Sequence, residues 1–179
     1  MGQYYNVVIK NSEGKIFAFN RSVDGDYMPA KLMEHSWWYN EFVSTIVSMV
    51  ACSPMQVAWV GDYSNDEEIV KTNNLYELAW GEKSEAKGVQ RNETYLDGKF
   101  LINHSKKIYL DCDDYKASSD NEGWCIHPLP LLTAAGNGKG GGDYFGINKE
   151  VVGTWCWDLI SVEDTPPEGY KEVSYLFKE

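Results

Sequence analysis

YYNVVIKNSEGKIFAF, residues 4–19, holds two short runs rich in Val, Ile, Tyr and Phe around a polar Asn-Ser-Glu-Gly. β-Branched and aromatic residues suit a pleated, half-buried surface, and a polar tetrad closed by glycine suits a tight reversal. The stretch therefore predicts a β-hairpin with strands at 4–9 and 16–19 and a turn at 11–14. A sheet is the element on which the rest of the chain is expected to build. The same logic recurs where FLIN (100–103) and IYLD (108–111) flank a turn at 104–107, and 57–60 reads as a further brief apolar strand. In 154–162, Trp155, Trp157, Leu159 and Ser161 alternate with Cys156, Asp158, Ile160 and Val162, which predicts a well-buried strand, and 173–177 is expected to be the last one.

Helical periodicity enters between these runs. Trp38, Phe42, Val43, Ile46, Val47 and Val50 recur at the 3.6-residue period after Ser36, the expected N-cap, and the helix should stop before Pro54. A second helix is predicted over 66–80, with an acidic start and an interruption at Asn73-Asn74. The polar stretch 81–94 is expected to be a mobile loop. Strands outnumber helices and no regular strand-helix alternation is present, so the predicted fold is α+β: an antiparallel or mixed sheet with two helices packed on it, a single domain over 1–179.

A chain of 179 residues buries roughly 70% of the surface its unfolded form exposes and needs no metal or disulfide staple. Net charge is −11, shared evenly: 7 basic and 12 acidic side chains in 1–90, 9 and 15 in 91–179. Binding to a nucleic-acid duplex requires Lys and Arg over a broad face, and Arg21 and Arg91 are the only arginines, so broad direct nucleic-acid binding is excluded. The acidic surface suits a basic partner, including the groove of a nucleic-acid-binding protein. Aromatics make up 14% of the chain, more than a core of this size requires, which points to recognition and allows a homodimer through spare tryptophans. Cys52, Cys112, Cys125 and Cys156 are widely spaced and match no metal or disulfide pattern. Reduced thiols, no metal, no cofactor and a cytosolic setting are expected. No apolar run reaches the ~20 residues of a membrane span.

Three copies of Gly-Asp-Tyr, at 25–27, 61–63 and 142–144, read as one local device: a glycine that permits a bend, an aspartate that hydrogen-bonds the turn and a tyrosine that anchors the next segment. Only the third comes after a glycine run, GNGKGGGDY at 136–144. Consecutive backbone amides with a lysine can cradle a phosphate, so Gly138, Lys139, Gly140, Gly141, Gly142 and Tyr144 are candidate ligand- or partner-binding residues, although the spacing matches no established phosphate motif. Asp66, Glu67 and Glu68 are the acidic cluster expected to meet a basic partner. For acid-base chemistry the candidates are His35, His104 and His127 with Asp62 or Asp143, which would serve a hydrolase or nuclease if folding gathers them. The adjacent carboxylates Asp113-Asp114 and Glu67-Glu68 read as solvated faces.

Six blocks carry a resemblance: MGQYY (1–5), KLMEHSWWYNEFV (31–43), WVGDY (59–63), LINHSKK (101–107), IHPLPLLTAAGNGKGGGDY (126–144) and VGTWCWDLISVE (152–163). Together they are similar to a family of small proteins of gut bacteria, their phages and mobile elements, over nearly the whole chain. The family carries no assigned chemistry, so the resemblance implies a context: a phage or mobile-element accessory protein in the bacterial cytosol. The function expected on that basis is binding, as an anti-CRISPR type counter-defence inhibitor that occupies a basic groove of a host defence protein such as a Cas nuclease. A small hydrolase or nuclease, and a nucleotide-signal sponge using the glycine loop, are the alternatives.

Overall fold

The computed structural model describes residues 1–23, 26–28, 30–64, 75–76, 84–85, 96–119 and 124–178. The opening hairpin forms as β1 (Tyr5–Lys10) and β2 (Ile16–Val23), antiparallel with Val7 opposite Phe19 and Lys10 opposite Ile16. Asn11 sets the turn: its Oδ1 accepts from the N–H of Glu13 and of Lys15, at 3.1 and 2.9 Å, while Gly14 takes a positive φ of 80°. β3 (Asp26–Met28) extends one side, β4 (Met55–Gly61) pairs antiparallel with β1, and β5 (Ser84–Glu85) runs parallel to β2. The second expected hairpin is β6 (Phe100–Asn103) and β7 (Ile108–Asp111); β8 (Ala134–Ala135), β9 (Leu159–Glu163) and β10 (Lys171–Glu172) come after it. The order is β10-β7-β6-β9-β4-β1-β2-β3, with β8 parallel to β4 and β10 parallel to β7. The sheet is mixed, and the α+β expectation is met.

β1 is buried on both faces. Tyr5, Val7 and Ile9 join the main core with Trp59, Leu101, Ile160 and the helices, whereas Val8, Ala18, Ala58, Val60 and Leu75 form a smaller cluster on the other side. α1 (Leu32–His35) is one turn long; α2 (Glu41–Cys52) buries Phe42, Val43, Ile46, Val47 and Val50 against the sheet, with Phe42 edge-on to Trp59 at 5.5 Å. Ser36 does not cap α2. Asn40 does, because Trp37 and Trp38 lie in the connection, and the Asn40 Oδ1 accepts from Phe42 and Val43 N–H at 3.0 and 3.3 Å.

Other elements depart from expectation for local reasons. α3 (Cys112–Ser119) is hidden in the sequence by its polar composition; Asp111 caps it, its Oδ1 accepting from Asp113 and Asp114 N–H, and the Asp113 and Asp114 side chains are exposed. α4 (Pro128–Leu132) starts after His127, and its prolines suit the first helical turn because no backbone donor is needed there. Of 154–162 only β9 is a strand. Trp157 adopts φ 64°, so the alternation breaks: Trp155 enters the main core while Trp157 packs on the opposite cluster. The strand predicted at 173–177 does not form; the last strand is β10, which ends just before it. Of the predicted helix at 66–80 and loop at 81–94, only helical Leu75–Tyr76 and β5 lie among the described residues.

Candidate functional site

The glycine run is ordered by its own aspartate. Asp143 is buried, and its Oδ2 accepts from the backbone N–H of Gly138, Lys139 and Gly140 at 2.7, 2.9 and 3.0 Å, while Oδ1 accepts from the Tyr5 hydroxyl at 2.8 Å. Three convergent amides form the concavity a phosphate would use. Here an internal carboxylate fills it. Burial, and then the bond to Asp143 and its charge, hold the Tyr5 phenol well above its ordinary range, so it stays a donor. Lys139 reaches the Tyr63 carbonyl at 2.9 Å.

The glycines serve close approach. A Cβ at Gly140 would lie 2.5 Å from the Gln3 Cβ and 2.9 Å from its backbone nitrogen. One at Gly61 or Gly136 would strike the Gln3 amide group. Gly141 bonds Met1 and Gln3, and the Gly142 carbonyl accepts from Met33 N–H at 3.0 Å. Tyr144 is buried; its hydroxyl donates to Ile147 O at 2.6 Å and accepts from Lys178 N–H at 3.0 Å. Gly138, Lys139, Gly140, Gly141, Gly142, Asp143 and Tyr144 thus form one fastening hub. In the second Gly-Asp-Tyr copy, the Asp62 side chain makes a single hydrogen bond among the described residues, from Tyr4 N–H at 3.2 Å. Gly25 of the first copy, and Asp66, Glu67 and Glu68, lie outside the described residues.

The three histidines occupy three different settings. No hydrogen bond among the described residues joins any of them to another, to Asp62 or to Asp143. His35 ends α1, with Nδ1 accepting from Lys31 N–H at 3.0 Å; burial, aided by Arg21, lowers its pKa. His127 caps α4 through Nδ1, which accepts from Leu129 N–H at 3.1 Å, and its ring lies 4.9 Å from that of Trp38. Complete burial depresses its pKa to about 3. Its Nε2 is buried without a hydrogen-bond partner among the described residues. His104 is the one with side-chain partners on both nitrogens: Nδ1 lies 3.1 Å from the Tyr170 hydroxyl, and Nε2 lies 2.7 Å from Ser161 Oγ and 3.3 Å from Glu163 Oε1. Ser161 Oγ donates to Glu163 at 2.6 Å and is 2% exposed. With its proton directed at Glu163, that hydroxyl accepts from His104 instead of donating to it, and its burial leaves no open approach. The cluster clasps the 104–107 turn to β9 and to Tyr170.

The face of β10-β7-β6-β9 that points away from the main core is open in part: Phe100, Tyr109, Asp111 and Glu163 are half-buried and Glu172 is exposed, whereas Ile102 and Ser161 are buried. Strand register places Asp111, Phe100 and Glu163 in one row and Glu172, Tyr109, Ile102 and Ser161 in the next. Phe100 and Tyr109 meet edge-on at 5.6 Å, and the Tyr109 hydroxyl donates to Glu172 at 3.3 Å. No Lys or Arg stands in these two rows. Lys99 pairs with Asp164 and Lys106 with Asp158 at the rim. Elsewhere, exposed apolar groups include Trp124, stacked on Trp37 at 5.6 Å, and Phe145 and Ile147 just past the hub.

The four cysteines are free thiols, and burial pushes Cys112 up to about 12, which keeps it protonated and inert. Among the described residues no cluster of His, Cys, Asp or Glu has a metal-holding arrangement, and no helix is long and apolar enough to cross a membrane. Comparison of the chain with protein families, with curated proteins and with solved structures finds no match. Sequence reasoning missed Ser161, Glu163 and Tyr170 as partners of His104, and Gln3 as the side chain the glycines accommodate. The acidic-aromatic rows had a usable signal: once 100–103 and 108–111 form a hairpin with a four-residue turn, Phe100 faces Asp111 and Ile102 faces Tyr109.

Proposed function

We propose that this protein acts by binding, as a phage or mobile-element accessory that occupies a basic, nucleic-acid-binding groove of a host defence protein, a Cas nuclease being the first to test. The observation that carries the reading is the outer face of β10-β7-β6-β9, where Asp111, Glu163 and Glu172 surround Phe100 and Tyr109 with no cation in either row. Carboxylates around aromatic anchors complement a groove built for phosphates and bases, and the net charge of −11 steers the encounter. The test is competition: the protein should displace DNA from the nuclease, measured by fluorescence anisotropy. Displacement should weaken steeply with salt, and at least about tenfold in a Glu172→Lys, Asp164→Lys double variant. Displacement by none of a panel of defence nucleases, or equal displacement by the double variant, refutes the reading.

A hydrolase or nuclease is the second reading, favoured by Ser161 Oγ at 2.7 Å from His104 Nε2. It requires that Ser161→Ala abolish biological activity while the thermal melt stays unchanged; full activity in that variant removes it. The nucleotide-sponge alternative would need Asp143 to release three amides that it already holds.

A further inference from the structure

Among the described residues the sheet ends at β10. Its inner side is taken: Lys171 N–H donates to Lys107 O at 3.1 Å and Val173 N–H to Tyr109 O at 2.8 Å. Because Lys171 and Val173 both bond towards β7, the N–H and C=O of Glu172 between them point away from it, and Ser174 is the next residue beyond Val173. Both residues are exposed, and among the described residues no backbone partner beyond β7 meets them. An edge of this kind is a template for another strand, and no proline interrupts 168–178 to blunt it.

Charge selects the occupant. On the outward side Glu172 stands beside Tyr109, with Asp111 and Glu163 further along the same face and Glu168 exposed on the approach to β10. Lys171 has the opposite parity and projects to the other side. A strand laid against this edge presents alternate side chains over Glu172 and Tyr109, where Lys or Arg gains both a carboxylate and an aromatic face. We infer that the β10 edge takes up an extended basic segment of a partner protein as an added strand, through the backbone of Glu172 and Ser174. The inference rests on the basic-partner reading above and goes beyond it by specifying the mode of contact.

The probe is a capped peptide of alternating Lys and Thr, added to the full chain labelled for amide exchange. Exchange at Glu172 and Ser174 should slow at least about tenfold on binding, and an alternating Glu-Thr peptide should not bind. Ser174→Pro removes one donor without changing any charge, and among the described residues position 174 has no backbone bond to lose. It should weaken the Lys-Thr peptide about tenfold. Failure of the peptide to bind overturns the inference, as does binding that leaves both amides exchanging at their free rate. Because the exchange measurement uses the unsubstituted chain, it decides even if the proline variant melts early. The nuclease competition assay uses no peptide, so the edge inference can fail while the basic-partner reading stands.

Discussion

The hub at 136–144 and the outer face of β10-β7-β6-β9 are both rich in polar groups, and they use them in opposite ways. In the hub the donors turn inward: three amides and the Tyr5 hydroxyl converge on Asp143, and Asn137 brackets the backbone of Tyr144. On the outer face Glu172 accepts from Tyr109 at 3.3 Å, and among the described residues no strand lies on the outer side of its backbone. The hub looks like a ligand loop in sequence because glycine, lysine and aspartate are also what a chain needs to bind its own carboxylate. The lesson is that a phosphate-like cradle must be checked for an internal anion before a ligand is assigned to it.

The contrast breaks first at Asp143. Asp143→Ala leaves three amides and a phenol without an acceptor in the interior and should cost about 4 kcal/mol in urea unfolding. Asp62→Ala, in the sister tripeptide, removes one longer bond and should cost under about 1 kcal/mol. Equal losses would dissolve the distinction between the two copies. His127 supplies the next largest effect. Its folded pKa, about 3, lies below the ordinary 6.5, so its neutral form is favoured in the folded state. Its contribution is fully present above pH 6.5 and is lost as pH falls, because the unfolded chain then binds a proton the folded one refuses. The slope is about 1.4 kcal/mol per pH unit down to about pH 3. His127→Asn keeps a capping acceptor and should flatten the stability profile between pH 6.5 and 4.5 by about 2 to 3 kcal/mol. An unchanged profile would mean that the ring is not held neutral.

Glycine substitutions sharpen the comparison further. Gly140→Ala drives a methyl against the Gln3 backbone and should cost about 2 kcal/mol or more. Gly138→Ala meets open space but sits at φ 91°, so conformational strain of about 1 kcal/mol is expected. A reversed order would locate the requirement for glycine in flexibility instead of close approach.

The two hairpins are legible because residue type, turn composition and strand length agree at 4–19 and 100–111. α2 is legible from its apolar stripe, with its start misplaced because Ser36 and Asn40 are both good caps and only the tertiary placement of Trp37 and Trp38 separates them. α3 cannot be read from apolar spacing: its apolar contribution is little more than Cys112 and Tyr115, and the Asp111 cap fixes its start. The candidate site is only partly legible. The tyrosine of the third Gly-Asp-Tyr is expected to anchor the next segment, and Tyr144 does so through Ile147 and Lys178. Asp143 stands out in the same tripeptide, but its bond to Tyr5 spans 138 positions, and nothing local in sequence announces so distant a partner.

That distance has a kinetic consequence. The hub joins Gln3 N–H to Gly141 O at 2.8 Å and Tyr144 to Lys178, so one loop ties together segments that leave the ribosome far apart in time. β1 can pair with β2 at once, yet Tyr5 waits for Asp143, and Tyr144 waits for Lys178. Folding should therefore finish only once Lys178 has emerged, with the slow rates of chains dominated by contacts distant in sequence. A nascent chain arrested before Lys178 emerges should remain protease-sensitive at its first strand, even though that strand was made first.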